Sequence, residues 1–126
     1  MHVPGELRYS KDHEWVRADT GTVRVGITDY AQDALGDVVF VQLPEPGAEV
    51  GAGGELGEIE STKSVSEIYA PVAGVVAEVN LALEDEPELV NTDPYGDGWM
   101  VAITPSDPAE VESLLDSAAY TELIEG

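Results

Sequence analysis

Glycine and proline interrupt this chain so often that it reads over most of its length as short strands. Thirteen Gly and eight Pro are spread through 126 residues, and the runs between them have strand character. Glu14-Trp15-Val16-Arg17 and Thr22-Val23-Arg24-Val25-Gly26-Ile27 flank Asp19-Thr20-Gly21, which predicts a hairpin. Thr28 or Asp29 can cap a short helix that runs to Leu35 and stops at Gly36. Val38 to Leu43 reads as a strand ended by Pro44-Glu45-Pro46-Gly47. A faint echo links Gly36–Leu43 and the acidic turn to Val50 with Gly74–Leu81 and a second acidic turn to Val90. Two similar β units in one small domain suggest a pseudo-symmetric sandwich or barrel. Near the C-terminus, Ser106-Asp107-Pro108 supplies a cap, and Val111, Leu114, Leu115 and Ala118 follow at helical spacing. Tyr120, Leu123 and Ile124 extend that apolar face. The expectation is one mainly β domain over residues 1–126, with peripheral short helices and a C-terminal helical segment.

Charge restricts the partners. Five Lys plus Arg stand against 26 Asp plus Glu, a formal net charge of −21, so nucleic acid and anionic membranes would both repel the chain. Such a surface suits a salt-filled cytoplasm, where screening relieves self-repulsion, and the composition resembles that of halophilic archaeal proteins. No segment approaches the roughly 18 uninterrupted apolar residues of a membrane span. The first residues resemble neither a secretory signal nor a transit peptide. With no cysteine, disulfide and thiolate chemistry are excluded, and a cytoplasmic location is expected.

Catalytic signatures fail one by one. Gly51-Ala52-Gly53-Gly54-Glu55-Leu56-Gly57 has leucine where a dinucleotide fingerprint needs its third glycine, and a turn-rich hairpin accounts for it better. His13-Glu14 opens like a zinc helix, but Arg17 stands where the second histidine belongs. With only His2 and His13 in the chain, no histidine-rich metal site can be built. Asp93 and Asp97 do not match a calcium loop. Among 26 acids, any one carboxylate pair is uninformative. No catalytic residues and no metal site are expected.

Only two lysines occur, Lys11 and Lys63. Strand-like alternation approaches Lys63 with Leu56, Glu58 and Glu60 against Gly57, Ile59 and Ser61. It leaves with Val65, Glu67 and Tyr69 against Ser66, Ile68 and Ala70. Ser61, Thr62 and Ser64 are turn residues, so Lys63 belongs at an exposed hairpin tip. Composition alone makes it an ordinary solvated lysine.

The segment Ile59-Glu60-Ser61-Thr62-Lys63-Ser64-Val65-Ser66-Glu67-Ile68-Tyr69-Ala70-Pro71 resembles the lipoylation site of glycine cleavage H proteins. Asp12-His13-Glu14-Trp15-Val16, Val25–Gln32, Leu35–Val41, Leu43–Gly47, Val79-Asn80 with Leu83–Asn91, Asp93–Met100 and Ala118-Ala119-Tyr120 are similar to family signatures in the same order. The resemblance implies a hybrid barrel-sandwich of the lipoyl/biotinyl type and a lipoic acid carried covalently on Lys63. Biotin carriers usually set methionine on both sides of their lysine, whereas Thr62 and Ser64 stand here. The resemblance also implies a surface cleft that shields an aminomethyl-loaded arm. The matching positions are Glu14, Glu67 and Asp12, with Asp12 replacing a small hydroxyl residue and Glu67 a frequent Asp. The implied partners are a pyridoxal-phosphate glycine decarboxylase, an aminomethyltransferase, dihydrolipoamide dehydrogenase and a lipoate-attaching enzyme, all acting on a monomeric shuttle that is no enzyme itself. A related carrier for lipoate relay or sulfur metabolism is the alternative.

Overall fold

A computed structural model describes residues 2–19 and 21–125. In chain order the elements are β1 (Arg8–Tyr9), β2 (Glu14–Ala18), β3 (Val23–Ile27), α1 (Asp29–Leu35), β4 (Val38–Gln42), β5 (Glu49–Val50) and β6 (Glu55–Ser61). They continue with β7 (Val65–Tyr69), β8 (Gly74–Val79), α2 (Ala82–Asp85), α3 (Leu89–Thr92), β9 (Val101–Pro105), α4 (Ala109–Glu112) and α5 (Ser117–Glu125). Two sheets result, β1-β2-β3-β9-β8-β5 and β4-β6-β7, and every strand pairing is antiparallel. The architecture is mainly β, as the punctuation implied. No helix among the described residues is long and apolar enough to cross a membrane.

The expected first hairpin forms, with Glu14 opposite Ile27 and Ala18 opposite Val23. Thr20, in its turn, lies outside the described residues. Trp15 is fully buried opposite Gly26. A Cβ on Gly26 would stand 2.7 Å from the indole, so only glycine lets the ring lie flat across the neighbouring strand. Of the two candidate caps, Thr28 is the one used: its hydroxyl accepts the Ala31 N–H at 3.2 Å. Gly36, at φ +83°, ends α1 by donating to Gln32 O at 3.1 Å.

One core of Val, Ile and Leu draws on both sheets, including Val25, Ile59, Ile68, Val76 and Ile103. A second cluster gathers Leu7, Tyr9, Trp15, Tyr95 and Tyr120 where the C-terminal helix packs.

Four sequence expectations need correction. Leu56 does not share the outer face with Glu58 and Glu60; an irregularity in the β6–β7 register between Glu55 and Gly57 turns it into the core with Ile59. The glycine-rich stretch closes no hairpin, because β5 pairs with β8 in the larger sheet while β6 enters the smaller one. The internal echo places β4 and β8 in different sheets, but its second half runs into α2 and α3 instead of a strand. There Asn80 accepts the Ala82 N–H at 3.2 Å and donates to Asp97 O and Trp99 O, so the chain turns into a helix. The C-terminal helix is broken: Leu115 exchanges two backbone hydrogen bonds with Tyr9, at 2.8 and 2.9 Å. That pairing covers the open edge of β1, and Asp116 then restarts the helix by accepting from Ala119 N at 2.8 Å.

Candidate functional site

Lys63 lies at the tip between β6 and β7. The last ladder pair is Glu60 with Val65, and Ser61 N–H closes the loop onto Ser64 O at 2.8 Å. The buried Ser61 hydroxyl accepts from Lys63 N and Ser64 N at 3.2 and 3.1 Å, so a single side chain templates the turn. Thr62 N–H donates to Asp37 O at 3.1 Å, fixing the tip to the segment after α1. Lys63 itself is exposed.

Its stem folds back over Gly36: a Cβ there would sit 3.1 Å from Lys63 Cε and 3.5 Å from Nζ. Asn91 fixes the backbone beneath, donating to Gly36 O at 2.9 Å and accepting from Val38 N at 2.8 Å. Gly36→Ala should therefore cost about 1–3 kcal/mol, chiefly because an L-residue is strained at that positive φ. The flexible Lys63 stem can move aside, so denaturant midpoints should fall while Lys63 remains chemically accessible.

The hairpin borders a cleft of about 330 Å³. Asp12 and Glu14 line one side, α1 contributes Tyr30, Ala31 and Leu35, and Ser64, Ser66 and Glu67 close the far side over an apolar floor that includes Ile59 and Ile68. The three carboxylates picked out by resemblance thus share one cleft with the neighbour of Lys63. Their environments differ. Glu14 is only 2% exposed; the Ser10 hydroxyl donates to its Oε1 at 2.6 Å and the Tyr69 N–H reaches Oε2 at 3.4 Å. Burial pushes the Glu14 carboxyl up to about 7, against the pull of those two hydrogen bonds and with a small addition from the charge of Asp12. Asp12 and Glu67 are exposed, and Glu67 accepts a 2.9 Å hydrogen bond from the Tyr69 hydroxyl.

Sequence reading missed Ser10, His13 and Tyr69. His13, which fails as a zinc ligand and sits in the Asp12–Val16 match without an assigned role, lines the cleft beside Glu14. The available signal was its place inside the Asp12-His13-Glu14 match. Tyr69 had the same signal in the Ile59–Pro71 match, whereas Ser10 carries none, because its contact to Glu14 exists only in the folded β1–β2 turn.

An exposed amine thus stands at a templated hairpin tip, beside a cleft lined by three carboxylates. The family model for glycine cleavage H-proteins matches residues 7–126. The chain belongs to the glycine cleavage H-protein family. Members are carriers, so this chain is the lipoyl shuttle of that system and not an enzyme. It is similar to the H protein of Geobacillus kaustophilus, 55% identical over 124 residues that cover 98% of each chain. It is also similar to the Escherichia coli O7:K1 H protein, 57% identical over 125 residues that cover 98% of this chain and 97% of that one. A crystal structure of an H protein from Mycobacterium marinum superposes with a TM-score of 0.91 at 45% identity, covering 98% of this chain and all of the other. The two sheets are accordingly those of the lipoyl-type barrel-sandwich.

Proposed function

We propose that Lys63 bears the lipoyl group and that the cleft lined by Glu14, Glu67 and Asp12 holds the cationic aminomethyl cargo between partners. The observation that carries this reading is the shared cleft, which joins the three carboxylates to the lysine tip through Ser64. The residues fit the group: Lys63 is exposed, its turn is templated from within, and Gly36 leaves room for its stem. When attached, the lipoyl group supplies a disulfide that takes up the one-carbon fragment and a dithiol that is later reoxidised. The partners that would act on a group held by Lys63 are a lipoate-attaching enzyme, the pyridoxal-phosphate glycine decarboxylase, the aminomethyltransferase and dihydrolipoamide dehydrogenase. The reading treats residues 1–126 as one monomeric lipoyl-carrier domain in a salt-rich cytoplasm, as in a halophilic archaeon. The net charge of −21 supports that setting and disfavours nucleic acid and membrane surfaces.

Glu14 does the discriminating. In the empty cleft a carboxyl near 7 is about half protonated at neutral pH. An ammonium beside it favours the ionised form, so loading should release a proton from Glu14 and create a charge-assisted hydrogen bond. Glu14 would offer no comparable interaction to a neutral arm.

Glu14→Gln keeps the shape and removes the charge. It should still be lipoylated at Lys63, while its loaded form releases formaldehyde and ammonia about three- to tenfold faster at pH 8. The ammonium holds the loaded carboxyl below its value near 7, so the ratio of the two rates should fall toward one only as the pH drops below that lowered value. Formaldehyde release after removal of the decarboxylase gives the rates. Equal rates at pH 8 would mean that the cargo is held elsewhere.

A further inference from the structure

Among the described residues, His13 is the one residue other than glycine with a left-handed backbone, at φ +72°. Glycine or asparagine would adopt that conformation with less strain, so an imidazole there must be held by its surroundings. Its Nδ1 lies 2.8 Å from the Tyr120 hydroxyl and its ring centroid 4.8 Å from that of Tyr30 on α1. Its carbonyl accepts the Thr28 N–H at 3.0 Å. The Tyr120 hydroxyl is also 2.7 Å from Thr28 Oγ1, the cap of α1. Tyr120 is fully buried and stacked on Tyr9 at 4.6 Å. It does not line the cleft. One hydroxyl from α5 therefore bonds to both walls of the site: the β1–β2 turn, which carries Asp12 and leads into Glu14 at the start of β2, and the start of α1.

We propose that Tyr120 is a positioning residue for the cleft, holding the β1–β2 turn against α1 through His13 and Thr28 and so fixing where Asp12 and Glu14 stand. The proposal rests on the carrier reading of the cleft and explains why an apolar helix face at the far end of the chain ends in a tyrosine hydroxyl. Burial pushes the phenol up to about 12, so it stays protonated and can donate to one partner while accepting from the other. The titratable groups around His13 are Asp12 and Glu14 on either side of it in the chain, Tyr30 on α1, Tyr120 on α5, and Glu67 across the cleft. Burial lowers the His13 pKa against the opposing charge of Asp12, which keeps a competing cation out of a site built for an ammonium.

Tyr120→Phe keeps the ring stack and removes only the hydroxyl. The variant should fold and be lipoylated at Lys63 like wild type. After loading, its cargo should react with water about three- to tenfold faster, giving the free thiol, formaldehyde and ammonium. His13→Asn suits the left-handed backbone and lacks the ring; release should already be fast, and adding Tyr120→Phe should change it less than about twofold. A purely structural role for Tyr120 would instead multiply the two accelerations. A second readout needs no lipoyl group: NMR titration of the His13 imidazole in the unmodified protein should move up toward the ordinary histidine range in Tyr120→Phe, as the turn loosens and water enters. Multiplying accelerations, or an unmoved His13 titration, overturns the proposal. Glu14→Gln run alongside separates the two ways in which release could stay unchanged. If Glu14→Gln accelerates release and Tyr120→Phe does not, the positioning role is wrong. If neither does, the cleft reading has failed and this proposal falls with it.

Discussion

Lys63→Arg is expected to abolish lipoylation and to reduce glycine-dependent carbon dioxide release in the reconstituted system to background, with the fold intact. A guanidinium keeps the positive charge but stays protonated at any working pH, so it offers no free amine to acylate. The side chain is exposed and the turn is held by Ser61, not by Lys63; stability should therefore change by no more than about 0.5 kcal/mol. Intact mass of protein from the native host should show one lipoyl group on wild type and on Lys11→Arg, and none on Lys63→Arg. Lys11, at the β1–β2 turn, is the internal control. A lipoyl adduct that persists in Lys63→Arg would move the attachment there and leave the hairpin without its role.

The second large effect is of salt on stability. With 26 acidic residues against five basic ones, like charges crowd the surface. On the smaller sheet the carboxylates of Glu55, Glu58 and Glu67 come within 4.8 Å of one another, and Glu58 and Glu67 are direct cross-strand neighbours. Raising the ionic strength from 0.1 M to 1 M cuts the screening length from about 10 Å to about 3 Å. The melting temperature should rise by roughly 10–20 °C between about 0.1 M and 3 M potassium chloride, equivalent to several kcal/mol for a domain of this size. Glu58→Gln should raise the melting temperature at low salt and flatten the dependence, since it removes one like charge from the cross-strand pair. A melting temperature that stays level over the whole range would contradict the salt-adapted reading of the charge.

The elements readable in the sequence are those set by near neighbours. Thr28 and Gly36 bracket α1 because a cap and a left-handed stop act within one helical turn. Lys63 is legible as a hairpin tip because Ser61, Thr62 and Ser64 are turn residues adjacent to it. Val65 to Tyr69 keep the two-residue period that puts Ile68 inside and Glu67 outside. Leu56 departs from the two-residue period for the complementary reason: a register irregularity adds one residue to the count, and local alternation carries no trace of it. Helical spacing at Leu114 and Leu115 is a local signal and implies a continuous C-terminal helix. The Tyr9 backbone that competes for Leu115 lies more than 100 residues earlier.

The sequence by itself determined the β character and the place of Lys63 at a hairpin tip, since each rests on contiguous residues whose chemistry is local, and it pointed to the family by resemblance. It also named Glu14, Glu67 and Asp12, by resemblance to the family. Only the tertiary structure decided what those carboxylates are. Glu14 and Glu67 are the same residue type, yet one is buried under Ser10 and the Tyr69 backbone with its carboxyl near 7, and the other is exposed on β7. Desolvation depends on which distant segments close over a group, and the cleft is assembled from the β1–β2 turn, α1, β6 and β7. The same holds for His13 and Tyr120: the strained backbone of one is held by a hydroxyl 107 residues away, a tie that exists only when the last helix has docked.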